Sequence, residues 1–190
     1  VSDNASTDDT RSLVEELQKT YRNLRYHCNE RNVGAEANLH RAIRASRGEY
    51  VLAAGDDDYF AGGTLPAVLD RLLRHRGCAL FHLRRAREPH RVYTGRGVAD
   101  YIRMVGYHMT WITSTVMRRD LYMRIKAPEM HDDTRIPQVY LQMEILKKAP
   151  DFAVVAAPFM AAGSGAHLPS GFNFVEVFIK NYFDLLKTAG

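Results

Sequence analysis

Apolar residues recur along this chain with two periods, and the two alternate. Leu13, Val14, Leu17 and Tyr21 fall three and four residues apart, which predicts a helix over Thr10–Tyr21 with one apolar face. The polar run from Ser2 to Thr10 before it is rich in capping residues, and Val1 reads as the end of a strand. Tyr26–Asn29 reads as a short strand and Arg31-Asn32-Val33-Gly34 as a turn. Ala35–Arg47 follows as a helix with Ala37, Leu39, Ala42 and Ile43 on its apolar side, stopped by Gly48. Glu49–Ala54 is continuously apolar after its first residue, the pattern of a strand covered on both faces. Gly55 ends that strand, and Asp56-Asp57-Asp58 comes next.

The helical period returns over Thr64–His75, where Leu65, Val68, Leu69, Leu72 and Leu73 form the stripe and Thr64 precedes Pro66 as an N-cap. Cys78–Leu83 reads as a strand, Gly97–Val105 as a short helix, and Thr110–Met117 as a β-branched strand holding the single tryptophan, Trp111. Ile136–Lys148 is an amphipathic helix with Lys147 and Lys148 at its C-terminal end. Phe152–Ala157 is a strand, Ala161–Ser170 a small-residue loop, and Phe172–Leu186 a helix dense in aromatic residues. Strand and helix alternate over the first 83 residues, which predicts an α/β fold with parallel strands.

Composition changes this picture little. The 190 residues are 46% hydrophobic and 25% charged, an ordinary globular balance that excludes disordered, collagenous and coiled-coil chains. Two cysteines, Cys28 and Cys78, without a CxxC pattern argue against a disulfide scaffold or a structural zinc site. No apolar run reaches the length of a membrane span, and with no signal peptide in view a cytoplasmic location is the expectation.

Charge adds more. Arginine outnumbers lysine 20 to 6, and residues 71–103 hold nine arginines against Glu88 and Asp100, in a chain whose net charge is +4. Such a surface suits phosphates, on a nucleotide or an anionic lipid, and equally reads as a solvated face. Nucleic acid is not expected, because the window holds no recognisable binding motif and few aromatic residues.

The candidate chemistry is carboxylate chemistry. Ligands bind at the C-terminal ends of strands in open α/β sheets, and there Asp56-Asp57-Asp58 stands after its apolar strand. Three adjacent carboxylates repel one another, and a divalent cation relieves that repulsion. Oxygen-only ligands suit Mg²⁺ or Mn²⁺, completed by diphosphate oxygens. At the end of another strand, Asp3 and Asn4 can read a nucleobase edge, while an Asx-turn with helix capping by Ser6, Thr7 and Asp8 needs no ligand.

Taken together these blocks resemble a known family. Val1-Ser2-Asp3-Asn4-Ala5-Ser6-Thr7-Asp8-Asp9-Thr10 is similar to the VxDxxSxDxT segment of family 2 glycosyltransferases. Asn32-Val33-Gly34, then Asn38 and Ala42, then Gly48-Glu49-Tyr50-Val51, then the Asp triplet follow in that family's order over about residues 1–60. Gly55-Asp56-Asp57-Asp58 most resembles the variant of abequosyltransferase-type enzymes of bacterial O-antigen synthesis.

The resemblance implies a GT-A-like nucleotide-diphospho-sugar transferase fold, a mostly parallel central sheet flanked by helices. It implies a nucleotide-diphosphate sugar donor, Mn²⁺ or Mg²⁺, inversion at the anomeric carbon, and a glycan or lipid-linked acceptor in surface polysaccharide assembly. Residues 1–96 would form the nucleotide-sugar half and 97–190 the acceptor half of one domain. Asp3 would read the base, with Asn4, Asn32 and Gly34 also on the donor side. Asp56 would approach the ribose, Asp57 would ligate the metal, and Asp58 would assist at the metal or face the donor sugar.

Two departures qualify it. The family's first strand and helix, which precede VxDxxS, have no counterpart in the 190 residues. Where many relatives carry a Glu-Asp pair at the start of the acceptor-side helix, this chain reads Pro137-Gln138. The nearest carboxylates, Asp132 and Asp133, are then the candidates for the catalytic base.

Other loops supply lesser candidates. His167 follows the hinge-like Gly163-Ser164-Gly165 and could complete the metal shell on closure, or stand exposed in its loop. His108 and Trp111 could floor an acceptor site, since sugars stack on aromatic faces, and Trp111 fits the core equally. The aromatic C-terminal helix could pack on the sheet, form a homodimer seam, or make peripheral contact with the inner membrane. Two other readings stand beside the transferase: a nucleotidyltransferase, which lacks its expected Gly-rich, Lys-bearing loop here, and an inactive nucleotide- or glycan-binding fragment.

Overall fold

The chain divides after Arg47 into two units, Val1–Arg47 and Gly48–Gly190. The computed structural model describes residues 1–86 and 91–157, the backbone of 160–162, and 173–188.

In the first unit β1 (Ser2–Asp3) runs parallel to β2 (His27–Cys28), with Ser2 opposite His27 and Asp3 opposite Cys28. The helices α1 (Thr10–Thr20) and α2 (Ala35–Ala45) complete it. Helix α2 buries Ile43 and His40. On α1 the stripe is present, but Val14 alone is buried, while Leu13, Leu17 and Tyr21 are exposed. A sheet of two-residue strands offers little surface for a helix to cover.

The second unit contains β3 (Tyr50–Leu52), β4 (Asp58–Phe60), α3 (Leu65–Arg74), β5 (Leu80–Arg85), β6 (Arg91–Arg96), α4 (Gly97–Val105), β7 (Thr115–Arg118), α5 (Arg119–Tyr122), α6 (Pro137–Lys148), β8 (Asp151–Ala157), β9 (Met160–Ala162) and α7 (Tyr182–Lys187). Five strands form one sheet in the order β3-β7-β5-β8-β6. Strands β5 and β8 pair in parallel, and the other three pairings are antiparallel, so this sheet is mixed rather than mostly parallel. A separate antiparallel pair, β4 with β9, sets Asp58 opposite Ala162.

One face of the large sheet is dry. Phe81, Leu83, Val116, Ala153, Val155 and Ala157 pack there with Val68 of α3 and Cys78, and Tyr50, Phe60 and Trp111 close the margin. On the other face Tyr101 of α4 meets His82 and Phe152 edge-to-face, with ring centroids 6.4 and 5.0 Å apart. Nine of the twelve residues of α6 are buried, although its sequence reads as amphipathic. The apparent polar side is hydrogen-bonded inside. Gln142, with no exposed surface, donates to the carbonyls of Met109 and Gln138 and accepts from the Tyr101 hydroxyl at 2.5 Å.

The strand expected over Thr110–Met117 begins only at Thr115. Before it, Gly106–Thr110 and Ile112–Ser114 are 3₁₀ turns. The Thr110 and Ser114 hydroxyls donate to the carbonyls of Tyr107 and Trp111, at 2.9 and 2.5 Å, and this local bonding competes with a β ladder. The aromatic C-terminal helix is π-wound over Glu176–Asn181 before α7, and Phe172 lies outside the described residues.

Candidate active site

Asp3 lies at the end of β1 and is only 4% exposed. The Ser6 amide donates to Oδ1 at 2.8 Å, and the Tyr26 hydroxyl donates to Oδ2. The Ser6 side chain first, then the Tyr26 hydroxyl and the Ser6 amide, hold the Asp3 carboxyl well below the usual carboxylate range, and Asp3 in turn raises the Tyr26 phenol. Asp3 is therefore a fixed anion shaping the loop, which turns through Ala5 at φ 63°. The Asx-turn expected for this segment is made by Asp8, whose Oδ1 accepts from the Thr10 amide at 3.0 Å, while the helix starts from Asp9 with no side-chain cap, so Ser6, Thr7 and Asp8 do not cap it as expected.

A chain of amides locks the neighbouring loops. Asn4 Nδ2 donates to Asn32 Oδ1 at 2.8 Å, and the Val33 amide donates to Asn4 Oδ1 at 2.9 Å. The Gly34 amide closes on Asn32 Oδ1 at 2.9 Å. Asn29 joins Asn4 to Asn38, and Asn38 bonds both the hydroxyl and the carbonyl of Ser2. Asn4, Asn32 and Gly34 are thus brought together in the first unit. Asn29 and Asn38 are the members of this network to which the sequence reading gave no role.

In the second unit the Asp triplet follows β3. Asp56 and Asp57 are exposed, and Asp58 is half-buried as the first residue of β4. Gly55 matters by its lack of a side chain: a Cβ there would stand 2.7 Å from Asp57 Oδ1 and 3.8 Å from Asp58 Oδ2. Both carboxylates reach over this one backbone position. The Gly55 amide donates to Thr113 Oγ1 at 2.9 Å, and Trp111 Nε1–H donates to Asp58 Oδ2 at 2.8 Å. Trp111 thus joins a residue assigned to the donor side, while His108 stands exposed on the preceding turn.

Among the described residues no three His, Cys, Asp or Glu side chains gather as a metal cage. The residues present fit a hard cation that takes one or two carboxylates and completes its shell with phosphate oxygens. Asp57 and Asp58 are the carboxylates that would hold such a cation. His167 lies outside the described residues.

Asp132 and Asp133 form a 3₁₀ turn, Asp132–Thr134, ahead of α6, with Asp133 exposed and Asp132 half-buried. The turn is held from three sides. Thr134 donates to the His131 carbonyl at 2.6 Å, Asn181 donates to the Thr134 carbonyl at 3.1 Å, and the His131 and Tyr140 rings meet at 4.6 Å. Gln138, where the resemblance implies an acid, is buried and donates to the Thr110 carbonyl at 2.5 Å. A carboxylate could not donate that bond. Gln138, Gln142 and Thr113 are residues whose roles the sequence reading missed. The four-residue spacing of the two glutamines on one helix was the available signal.

A mixed sheet flanked by helices, with an acidic triplet following a strand, defines a GT-A-like α/β domain. Solved structures agree: residues 1–349 of S. aureus TarS match with a TM-score of 0.60 at 16% identity, covering 98% of this chain and 53% of that one. The same protein in complex with UDP gives 0.58.

The chain belongs to glycosyl transferase family 2, whose model matches residues 1–143. Abequosyltransferase RfbV of Salmonella typhimurium is 23% identical over 171 residues, covering 76% of this chain and 50% of that protein. The GalNAc(5)-diNAcBac-PP-undecaprenol beta-1,3-glucosyltransferase of Campylobacter jejuni is 33% identical over 72 residues, covering 37% of this chain and 23% of that protein. The chain thus spans half or less of the curated relatives it matches.

Proposed function

We propose that this chain transfers a sugar, with inversion, from a nucleotide-diphosphate donor to a glycan or lipid-linked acceptor in bacterial surface polysaccharide synthesis. The observation that carries the proposal is a hydrogen-bonded path within the second unit. Gln138, four residues after the Asp132–Thr134 turn, holds the Thr110 carbonyl, and the next residue, Trp111, holds Asp58. Helix α6, into which the candidate-base turn leads, and the candidate metal ligand are joined through one short strap. The family, together with the relatives named as an abequosyltransferase and an undecaprenol-linked glucosyltransferase, supports the same reading.

In this reading the loops of the first unit, shaped by the buried Asp3 and locked by Asn4, Asn32 and Gly34, serve the nucleotide. In the second, Asp56 serves the ribose, and Asp57 with Asp58 holds Mn²⁺ or Mg²⁺. The cation, when bound, neutralises charge on the departing diphosphate. Asp132 or Asp133 takes the proton of the acceptor hydroxyl. The new bond forms from that oxygen to the anomeric carbon, and the bond to the diphosphate breaks with its electron pair. His108 borders the acceptor. His167 is a candidate further metal ligand.

Nucleotide release from donor sugars, assayed with and without Mn²⁺, tests this. Asp57→Asn is expected to remove the metal-dependent rate. One of Asp132→Asn and Asp133→Asn is expected to lower it by about a hundredfold or more, the contribution of a positioned base. Full activity in both would remove these residues as the base.

A further inference from the structure

Trp111 is the chain's single tryptophan, and it sits at an unusual junction. Its ring lies half-buried against the sheet cluster of Phe81, Val116 and their neighbours, while its one polar atom points to Asp58 Oδ2 at 2.8 Å. The backbone around it is clamped. The Trp111 amide donates to the His108 carbonyl at 3.1 Å, and the Trp111 carbonyl accepts from the Ser114 hydroxyl at 2.5 Å. The carbonyls of Met109 and Thr110 are held by Gln142 and Gln138, at 2.8 and 2.5 Å. On the far side, Thr113 holds the Gly55 amide. An indole fixed this firmly presents its N–H in one direction.

We infer that Trp111 is a positioning residue for the metal ligand Asp58, an inference that rests on the metal reading above. A hydrogen bond to a carboxylate is charge-assisted and directional. With Oδ2 held by the indole at 2.8 Å, Asp58 is restrained in its rotamer, and its other oxygen would be the one left for a cation held together with Asp57, whose Oδ1 reaches over the same glycine. Partners that orient metal-ligating side chains typically govern affinity by about 10- to 100-fold. The packed ring serves the core, and the N–H serves the site.

Mn²⁺ alone is the probe, with free ion counted by electron paramagnetic resonance. The wild-type chain is compared with Asp58→Asn and Trp111→Phe, and thermal midpoints are recorded for each. The phenylalanine keeps an aromatic ring against the core while removing the donor and part of the indole's bulk, which the thermal midpoint registers. The expected result is Mn²⁺ binding in the wild type, lost in Asp58→Asn and weakened about tenfold or more in folded Trp111→Phe. A second measurement needs no variant: paramagnetic Mn²⁺ held at Asp58 quenches the emission of the lone tryptophan, and diamagnetic Mg²⁺ at saturation reverses the quench. Wild-type affinity in Trp111→Phe overturns the positioning role and leaves the metal site standing, whereas Mn²⁺ bound without quenching lies away from Asp58 and overturns both. No Mn²⁺ binding in the wild type, or binding indifferent to Asp58→Asn, overturns both.

Discussion

Two buried titratable side chains tie this fold to pH, and they do so in different units. His82, 1% exposed in the middle of β5, is pushed down to about 3, first by desolvation and then by Arg84 and His108. It is neutral in the fold and takes up a proton near pH 6.5 once unfolded. Stability is therefore full above pH 6.5 and declines as pH falls below it, by up to about 1.4 kcal/mol per unit. His82→Asn keeps a polar neighbour for Ser114 and removes the titration. Urea unfolding at pH 7, 6, 5 and 4 should show that decline in the wild type and a flatter line in the variant. Asp3 acts lower on the scale. Its carboxyl is depressed by Ser6 and Tyr26, so its contribution holds above the ordinary carboxylate range and fades as pH drops below it. A third residue-scale case is Tyr101, whose hydroxyl supplies the buried Gln142 Oε1. Tyr101→Phe should cost about 1–3 kcal/mol in denaturant unfolding, the cost of leaving a buried acceptor unmet.

At the scale of elements, tight contact between strands gives a direct prediction. Gly95 of β6 stands opposite Phe152 of β8, and a Cβ on Gly95 would overlap the Phe152 ring. Gly95→Ala should lower stability by about 1–3 kcal/mol through overpacking, read as a lower denaturation midpoint. Which elements could be foreseen follows from where their information lies. Helices α2, α3, α4 and α6 announce themselves by apolar period, and their ends fall within about two residues of the expected ones. Strand β6 could not be foreseen, because Arg-Val-Tyr-Thr-Gly-Arg is an edge strand with one face in water and no apolar run. Strands β4 and β9 are three residues each and exist only through pairing across some hundred residues of chain. The site divides in the same way. A carboxylate cluster after a strand is legible as a ligand position, because it depends on neighbours in sequence. The Trp111–Asp58 bond spans 53 positions and leaves no local trace, and the burial of Gln138 and Gln142 depends on packing, to which their four-residue spacing is the one local pointer.

At the scale of the whole molecule, charge is less lopsided than its sequence window. Arg74, Arg76 and Arg96 of the arginine-rich stretch pair with Asp70, Glu49 and Asp151, all outside it. These exposed pairs add little stability, but they spread the positive charge that the linear window concentrates. Among the described residues no helix is long and apolar enough to cross a membrane. The outward Phe174, Val175, Ile179 and Phe183 remain the largest apolar feature of the C-terminal segment. The central claim is narrower: the chain binds a nucleotide-diphosphate sugar through a divalent cation at Asp57 and Asp58. The most direct measurement is the thermal midpoint of the chain against UDP-, GDP-, CDP- and dTDP-sugars, each with and without Mn²⁺. The account predicts a rise with one nucleotide class, corresponding to roughly 2.7 kcal/mol at a hundredfold excess over the dissociation constant, present only with metal and absent in Asp57→Asn. A midpoint unmoved by every donor in the presence of Mn²⁺, or raised equally without metal and in Asp57→Asn, would contradict it.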